Sequence, residues 1–373
     1  MASLIQEPLD ERIYSLNLGP QHPSTHGVLR VLLRLDGEFI VDADPIIGYG
    51  HRGHEKMAEN RTYEQFMPNA SRMDYLSGLI YNHGYTLAVE KLAGIEVPER
   101  ARYIRVICSE LNRISSHLLW FGAYIMDLGG FTPFLYAFDD RENILDILDR
   151  VTGSRLTYSY CRFGGVARDI DEEFITATRA FIKRLRSRWA DYHNLVTKNV
   201  IFIHRVRNIG VISPELALRY GVTGPCLRAC GFPFDMRKME PYEIYDRFDF
   251  EIPTETACDA EARYLVRLRE MEQSCRIIEQ ALDQLPTGQH RNDKVPFKVK
   301  PPKGDVYFSF ESARGQVGFY LVSDGTSYPY RLRARVPSYG NLHVLVEVFK
   351  GTLVADAISI LGSVDIVVPE VDR

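Results

Sequence analysis

The residues best suited to chemistry cluster in four short segments. The first is Gly19 to Gly27, GPQHPSTHG, in which Gln21, His22, Ser24, Thr25 and His26 are held between prolines and glycines. Pro and Gly specify a tight turn, and an imidazole gains or loses a proton near neutral pH. A loop of this kind suits hydrogen bonding to a carbonyl ligand; the same side chains could equally cap their own turn. The second segment, GYGHRGHEK at 48–56, places His51 and His54 three residues apart, with Arg52 between them and Glu55 adjoining. An HxxH pair can begin a metal site, but no further ligands follow at a suitable spacing. A hydrogen-bonded or exposed pair is the plainer reading. The third, SRMDY at 71–75, puts Arg72, Asp74 and Tyr75 where a helix is expected to start, and an acid there complements the helix dipole. Tyr75 reads as a core residue on this basis alone. The fourth is Asp127, a carboxylate at the end of a long apolar seam, where the dipole opposes it. That placement points either to a cationic partner or to an exposed acid beside Gly129-Gly130.

The elements that must position these residues are legible from periodicity. Ile13 to Leu18 and Val28 to Leu35 read as strands, with Asp36-Gly37 as a hairpin turn and a return strand over Glu38 to Val41. Asp74 to Lys91 is helical in pattern and stops at Gly94, and Pro98 suits a first helical position. Ile104, Ile107, Leu111, Ile114, Leu118, Phe121 and Ile125 then recur at three- and four-residue steps, forming one seam about six turns long. Further helices are expected over Phe134 to Val151, closed by Gly153, over Asp171 to Lys198, and along Tyr264 to Leu285. A basic, Pro-containing linker at Lys298 to Lys303 leads back to strands over Val306 to Phe310, Val317 to Val322 and Tyr330 to Val336. The expected fold class is α+β: a long-helix bundle with small terminal sheets. Three regions are expected: 1–50 with the His-containing loop, 51–297 as the helical core, and 298–373 packed back on it.

Composition excludes several functions. The 373 residues carry 45 Lys and Arg against 49 Asp and Glu, a net charge of −4, so no basic field calls for nucleic acid. Six scattered cysteines (Cys108, Cys161, Cys226, Cys230, Cys258 and Cys275) include no CxxC pair and suggest a reducing compartment. Cys226 and Cys230 read as small buried residues rather than ligands, and no metal site is expected. Met1 to Arg12 is acidic without an apolar run, so no signal peptide is expected. The least charged stretch offers only 13 residues between Arg113 and Asp127, short of the roughly 20 that a membrane span needs. There is no GxGxxG after a strand, no P-loop and no GxSxG.

Taken together, longer segments resemble the quinone-site (NuoD- or NdhH-type) subunits of respiratory complex I. They include GPQHPSTHGVLR at 19–30, IGYGHRGHEK at 47–56, SRMDYL at 71–76, ELNRISSHLLWFG at 110–122, DLGGFTPFLYAF at 127–138 and ISILGSVDIVVPEVDR at 358–373. That family is similar to the large subunits of NiFe hydrogenases, where two cysteine pairs hold the metals. The corresponding stretches here, Gly50 to His54 and Ile360 to Asp365, contain no cysteine, and without thiolates a soft-metal site cannot form.

The resemblance implies a subunit that reduces quinone (ubiquinone or menaquinone) inside an ion-pumping complex whose electron donor is NAD(P)H or another. His26 and Tyr75 would hydrogen-bond the quinone, and Asp127 would pair with His26. His22, Thr25 and Arg72 would line the site, and Arg52 would face an iron–sulfur cluster held by a neighbouring subunit. The implied partners are a NuoB-type iron–sulfur subunit, NuoC- and NuoI-type subunits and a NuoH-type membrane subunit. The implied place is the cytoplasmic face of the cell membrane, held there peripherally. Two features depart from the family pattern: Thr157 stands where many relatives carry a histidine, and the segment between Leu285 and Asp305 is short. The alternative is a non-catalytic structural subunit of a membrane-bound hydrogenase-like complex.

Overall fold

The computed structural model describes residues 13–20 and 27–373. Near the N-terminus, β1 (Ile13–Leu18), β2 (Arg30–Asp36) and β3 (Phe39–Ile46) form an antiparallel sheet in that order. Leu16 lies opposite Leu33, and Leu33 opposite Ala43, so one face is apolar along β2. The hairpin turn is one residue later than expected. Asp36 pairs with Phe39, and Gly37, not Asp36, opens the turn with φ 58°. Only glycine adopts that left-handed conformation without strain. The return strand also runs on through Asp42, Asp44 and Pro45, a composition that argues against a strand. It is tolerated because β3 is an edge strand, where a proline costs no ladder bond on its free side. Where β3 does need a partner, Ile40 exchanges backbone hydrogen bonds with Gly351 and Thr352.

Two short helices, α1 (His54–Glu59) and α2 (Tyr63–Ala70), lead into the bundle. A capping box between Thr62 and Gln65 starts α2. The helix expected from Asp74 begins only at Gly78, as α3 (Gly78–Ala93). Asp74 Oδ1 instead accepts the amides of Leu76 (3.1 Å) and Ser77 (3.2 Å), closing a turn. The Asn112 side chain grips this turn, donating to Leu76 O at 3.0 Å and accepting from Leu79 N at 3.1 Å. The seam is a single helix, α4 (Glu99–Asp127), with Pro98 at its N-cap, one position before that expected. Then come α5 (Phe131–Thr152), closed by left-handed Gly153, and α6 (Glu172–Tyr192), capped by Asp171. The chain predicted to stay α-helical to Lys198 passes into a π-turn at His193–Thr197.

A hairpin of β4 (Cys161–Arg162) and β5 (Gly165–Val166) lies between α5 and α6. Four short helices, α7 (Val200–Val206), α8 (Pro214–Arg219), α9 (Pro225–Arg228) and α10 (Met236–Met239), precede the long α11 (Ala260–Asp283). A second antiparallel sheet follows: β6 (Gly304–Glu311), β7 (Gln316–Ser323) and β8 (Arg331–Arg335). It packs on α3 so closely that a Cβ on Gly84 would stand 2.2 Å from the Phe310 ring. The chain ends in α12 (Pro337–His343), α13 (Leu345–Val348), α14 (Ala357–Val364) and α15 (Val368–Asp372).

Apolar burial falls into two main clusters. The larger joins α3, α4, α5, α6 and α11 to the second sheet. The smaller packs Leu29, just before β2, and Val31, Leu33 and Ile40 of the first sheet against Leu342, Ile360, Val364 and Val371 near the C-terminus. The first and last segments of the chain therefore share one core. Trp120 Nε1 donates to Gly362 O at 2.7 Å, tying α14 to the C-terminal part of α4.

Candidate functional site

A single buried guanidinium gathers two acids and two serines from three distant segments. Arg314, on the β6–β7 turn, donates through Nη1 to Asp74 Oδ2 at 2.8 Å, Ser77 Oγ at 3.1 Å and Ser116 Oγ at 3.3 Å. Through Nη2 it reaches Asp365 Oδ1 at 3.3 Å. Asp365 terminates α14 in the left-handed region at φ 58°. A second buried guanidinium, Arg267 of α11, lies 4.3 Å over the Trp120 ring and bonds the carbonyls of Ser363 and Val364, both at 2.9 Å. Its Nε is 4.0 Å from Asp365 Oδ2. Arg314 Nε, Arg267 Nε and Asp365 Oδ2 are buried without a hydrogen-bond partner among the described residues, so the cluster keeps unused bonding capacity.

Tyr75 is half-buried beside this cluster. Burial raises its phenol pKa; Arg314 opposes that, and Asp74 and Asp365 add to it. The phenol therefore keeps its proton at neutral pH. Asp74, read from sequence as a helix-dipole acid, is an ion-pair partner of Arg314.

His51, Arg52, His54 and Arg72 form a second group, in which the two arginines supply positive charge. The Asp372 carboxylate fastens their loop, accepting from Gly48 N at 2.8 Å and Gly50 N at 2.6 Å, and Asp372 O lies 2.6 Å from His51 Nδ1. His54 is buried, and neither ring nitrogen has a partner among the described residues. Burial first, then Arg52, His51 and Arg72, pushes its pKa down to about 4, so it is neutral at physiological pH. Arg52 is exposed, and Arg72 donates to Pro68 O at 2.8 Å. Among the described residues no three His, Cys, Asp or Glu come together as a metal group. Cys226 and Cys230 are both buried, and burial pushes the Cys230 thiol up to about 12.

The residues expected to act together are only partly joined. Tyr75 shares the Arg314 cluster, and Arg52 and Arg72 share the His54 group. Asp127 is half-buried at the last residue of α4, eleven residues beyond Ser116 and so about 16 Å along the helix axis. Beside that helix end lies a groove of about 330 Å³ lined by Ile125, Leu128, Phe131, Leu195, Ile201 and Phe202. His22, Thr25 and His26 lie outside the described residues.

Arg314, Arg267, Asp365 and Glu370 were not singled out from sequence as site residues. The available signal was Asp365 itself, which ends the very stretch where hydrogenases carry cysteine. A buried acid in an apolar segment requires a cation, and Arg314-Gly315 reads locally as an ordinary turn. A further buried network braces the interior: Arg228 with Glu270 (2.6 Å) and Glu311 (2.8 Å), Arg237 with Glu110 (3.0 Å), and His117 with Glu270 (3.0 Å).

A long-helix α+β core with small sheets is the fold of the NiFe-hydrogenase large-subunit class. Within that class the chain belongs to the family described as respiratory-chain NADH dehydrogenase, 49 kDa subunit, which matches over residues 127–300 and 294–373, and it is an oxidoreductase subunit. It is 75% identical over 366 residues to the D subunit of NADH-quinone oxidoreductase from Syntrophobacter fumaroxidans, covering 98% of each chain. It is 58% identical to the D subunit of the same enzyme from Desulfotalea psychrophila, over 97% of this chain and 98% of that one. A second D-type subunit of that enzyme, from Opitutus terrae, is 53% identical, over 96% and 90%. All three names are of catalytic-complex subunits, so the structural, hydrogenase-like alternative is not favoured.

Proposed function

We propose that this chain forms the quinone-reduction site of a complex I-type enzyme, with the headgroup bound against Tyr75 and the Arg314 cluster. The observation that carries this reading is the cluster itself. It is a buried, thiolate-free polar centre with unused hydrogen-bonding capacity, flanked by a half-buried protonated phenol whose hydroxyl has no hydrogen bond among the described residues. A quinone headgroup has two carbonyl acceptors and needs two protons on reduction, which suits a phenol and an imidazole as donors. Tyr75 and His26 take those roles, with Asp127 holding the His26 proton and His22 and Thr25 lining the same loop.

Electrons come from an iron–sulfur cluster held by a NuoB-type partner. The six cysteines of this chain are all buried and scattered, which does not suit the four clustered thiolates such a cluster requires. Arg52 is the complementary charge for it, since a nearby positive charge favours the reduced state. NuoC- and NuoI-type subunits complete the peripheral arm. No helix among the described residues is long and apolar enough to cross a membrane, so contact with the membrane's cytoplasmic face runs through a NuoH-type partner.

Kinetics of the assembled complex test this reading. His26→Ala lowers quinone reduction on the order of 100-fold, the low end of a general acid's contribution, while assembly stays intact. Tyr75→Phe weakens quinone binding by about 0.5–1.5 kcal/mol and slows turnover. Wild-type rates and affinities in both variants, with ubiquinone and menaquinone analogues alike, would assign the loop and the phenol to packing.

A further inference from the structure

Glu370 of α15 is fully buried, yet it has no ion-pair partner among the described residues. Its two oxygens accept hydroxyl hydrogen bonds, from Tyr81 of α3 on Oε1 and from Ser338 of α12 on Oε2. The Ser338 hydroxyl in turn accepts from Val367 N at 3.3 Å. The charged and titratable groups that face Glu370 are Tyr81, Asp74 in the turn before α3, Arg314 on the β6–β7 turn and Arg335 at the end of β8. Neither arginine is available to it as a partner. Arg314 is committed to Asp74 and Asp365, and Arg335 donates to Gln316 O at 2.5 Å and Gly221 O at 3.0 Å. Three carboxyls therefore compete for one guanidinium, which two of them already occupy. The third is disfavoured as an anion, since a buried charge without a partner is costly. Burial, then Asp74, pushes the Glu370 carboxyl up to about 8, against the opposing pull of Arg314, Ser338 and Tyr81.

We propose that Glu370 is the proton store of the quinone site: it holds the proton that restores Tyr75 after the phenol has protonated the bound quinone. The inference rests on the quinone-site reading above. In the first step the Tyr75 O–H bond breaks and its proton goes to a quinone oxygen, while the electrons arrive from the partner's iron–sulfur cluster. In the second, the Glu370 O–H bond breaks and one proton passes to the Tyr75 oxygen. Both groups face the Asp74–Arg314 ion pair, which sets Tyr75 and Glu370 beside the same cluster. Glu370 is left as a carboxylate, which a proton from solvent neutralises before the next turnover. Glu370 does not touch the quinone, so it supplies a proton to Tyr75 and is not itself a catalytic residue.

The sign of the pH dependence follows. Below about pH 8 the store is full, and as pH rises through that value it empties. Quinone reduction by the assembled wild-type complex should therefore decline above about pH 8. In Glu370→Gln the rate at neutral pH should drop about tenfold, less than a general acid in direct contact contributes, and that alkaline decline should vanish. Glu370→Asp keeps an acid and should keep a declining limb. The infrared spectrum of the wild-type complex adds a readout independent of turnover: a protonated buried carboxyl band at neutral pH that disappears on titration through about pH 8. A merely structural role would lower the amount of complex without moving either curve. An unchanged alkaline limb in Glu370→Gln, or an ionised Glu370 at neutral pH, overturns the proposal. If Tyr75→Phe slows turnover normally while Glu370→Gln changes nothing, only the proton store fails. If neither variant differs from wild type, the quinone-site reading fails with it.

Discussion

Arg314→Met is expected to destabilise the protein by about 3–5 kcal/mol, the cost of removing one partner from a buried ion pair, and to abolish quinone reduction in whatever complex still assembles. Methionine fills much of the same volume, so packing loss is small and the effect isolates the charge. Asp74 and Asp365 would remain buried with no cation between them, and Ser77 and Ser116 would lose the donor they share. The turn from Asp74 to Ser77 carries Tyr75, so the phenol loses its placement together with the charge. Arg314→Lys should fall between the two. An ammonium keeps the charge, but it cannot reach Asp74 and Asp365 with separate nitrogens as the planar guanidinium does. Denaturant midpoints and turnover per assembled complex check both expectations, and wild-type stability in Arg314→Met would show that the cluster does not hold the interior together.

The second large effect is expected at Arg228, with a similar cost in stability but turnover retained. This guanidinium is fully buried and faces Glu270 at 2.6 Å, Glu311 at 2.8 Å and Asp235 at 3.7 Å. Arg228→Met leaves three carboxylates around an apolar side chain and should also cost about 3–5 kcal/mol. Turnover per assembled complex should stay near wild type, because none of these groups belongs to the Arg314 cluster. The effect should also depend on pH. Burial works to raise the Glu270 pKa, but Arg228 and His117 hold it at about 2, against an ordinary value of 4.5. A depressed carboxylate contributes stability that is fully present above 4.5 and is lost as pH falls toward 2. The wild-type and variant stability curves should therefore converge across that acidic window. Curves that stay parallel down to its lower edge would mean that Arg228 does not act through Glu270.

Local chemistry made most of the elements legible and left most of the site hidden. The seam from Ile104 to Ile125 shows its helix because each apolar residue serves the same buried stripe of α4. Gly94 and Gly153 mark helix ends because the left-handed C-cap is a local requirement. Asp74 misled because an acid before an apolar run looks like a helix start, whereas its side chain closes a turn and answers Arg314. That pairing joins residues 240 apart, and the Arg314–Asp365 contact joins residues 51 apart. No window of sequence contains either pair. Periodicity reports which face of an element is apolar, not which distant acid neutralises which base. Tyr75, Arg52 and Arg72 were assigned through resemblance to a family, and the structure adds what they stand beside. No sequence pattern marks Glu370, and only the prior claim of Asp74 and Asp365 on Arg314 shows why its carboxyl lacks a cation.

The central claim is that a quinone headgroup binds between Tyr75 and the Arg314 cluster, and photolabelling tests it most directly. A quinone analogue with a photoreactive headgroup would be irradiated in the assembled complex, and the modified peptide of this chain mapped. The account predicts label in the turn from Ser71 to Ser77 or in the Gly19–Gly27 loop, suppressed by excess quinone and lost in Arg314→Met. Label confined to the groove at Phe131 and Ile201, unaffected by Arg314→Met, would place the headgroup away from Tyr75 and the Arg314 cluster and contradict the account.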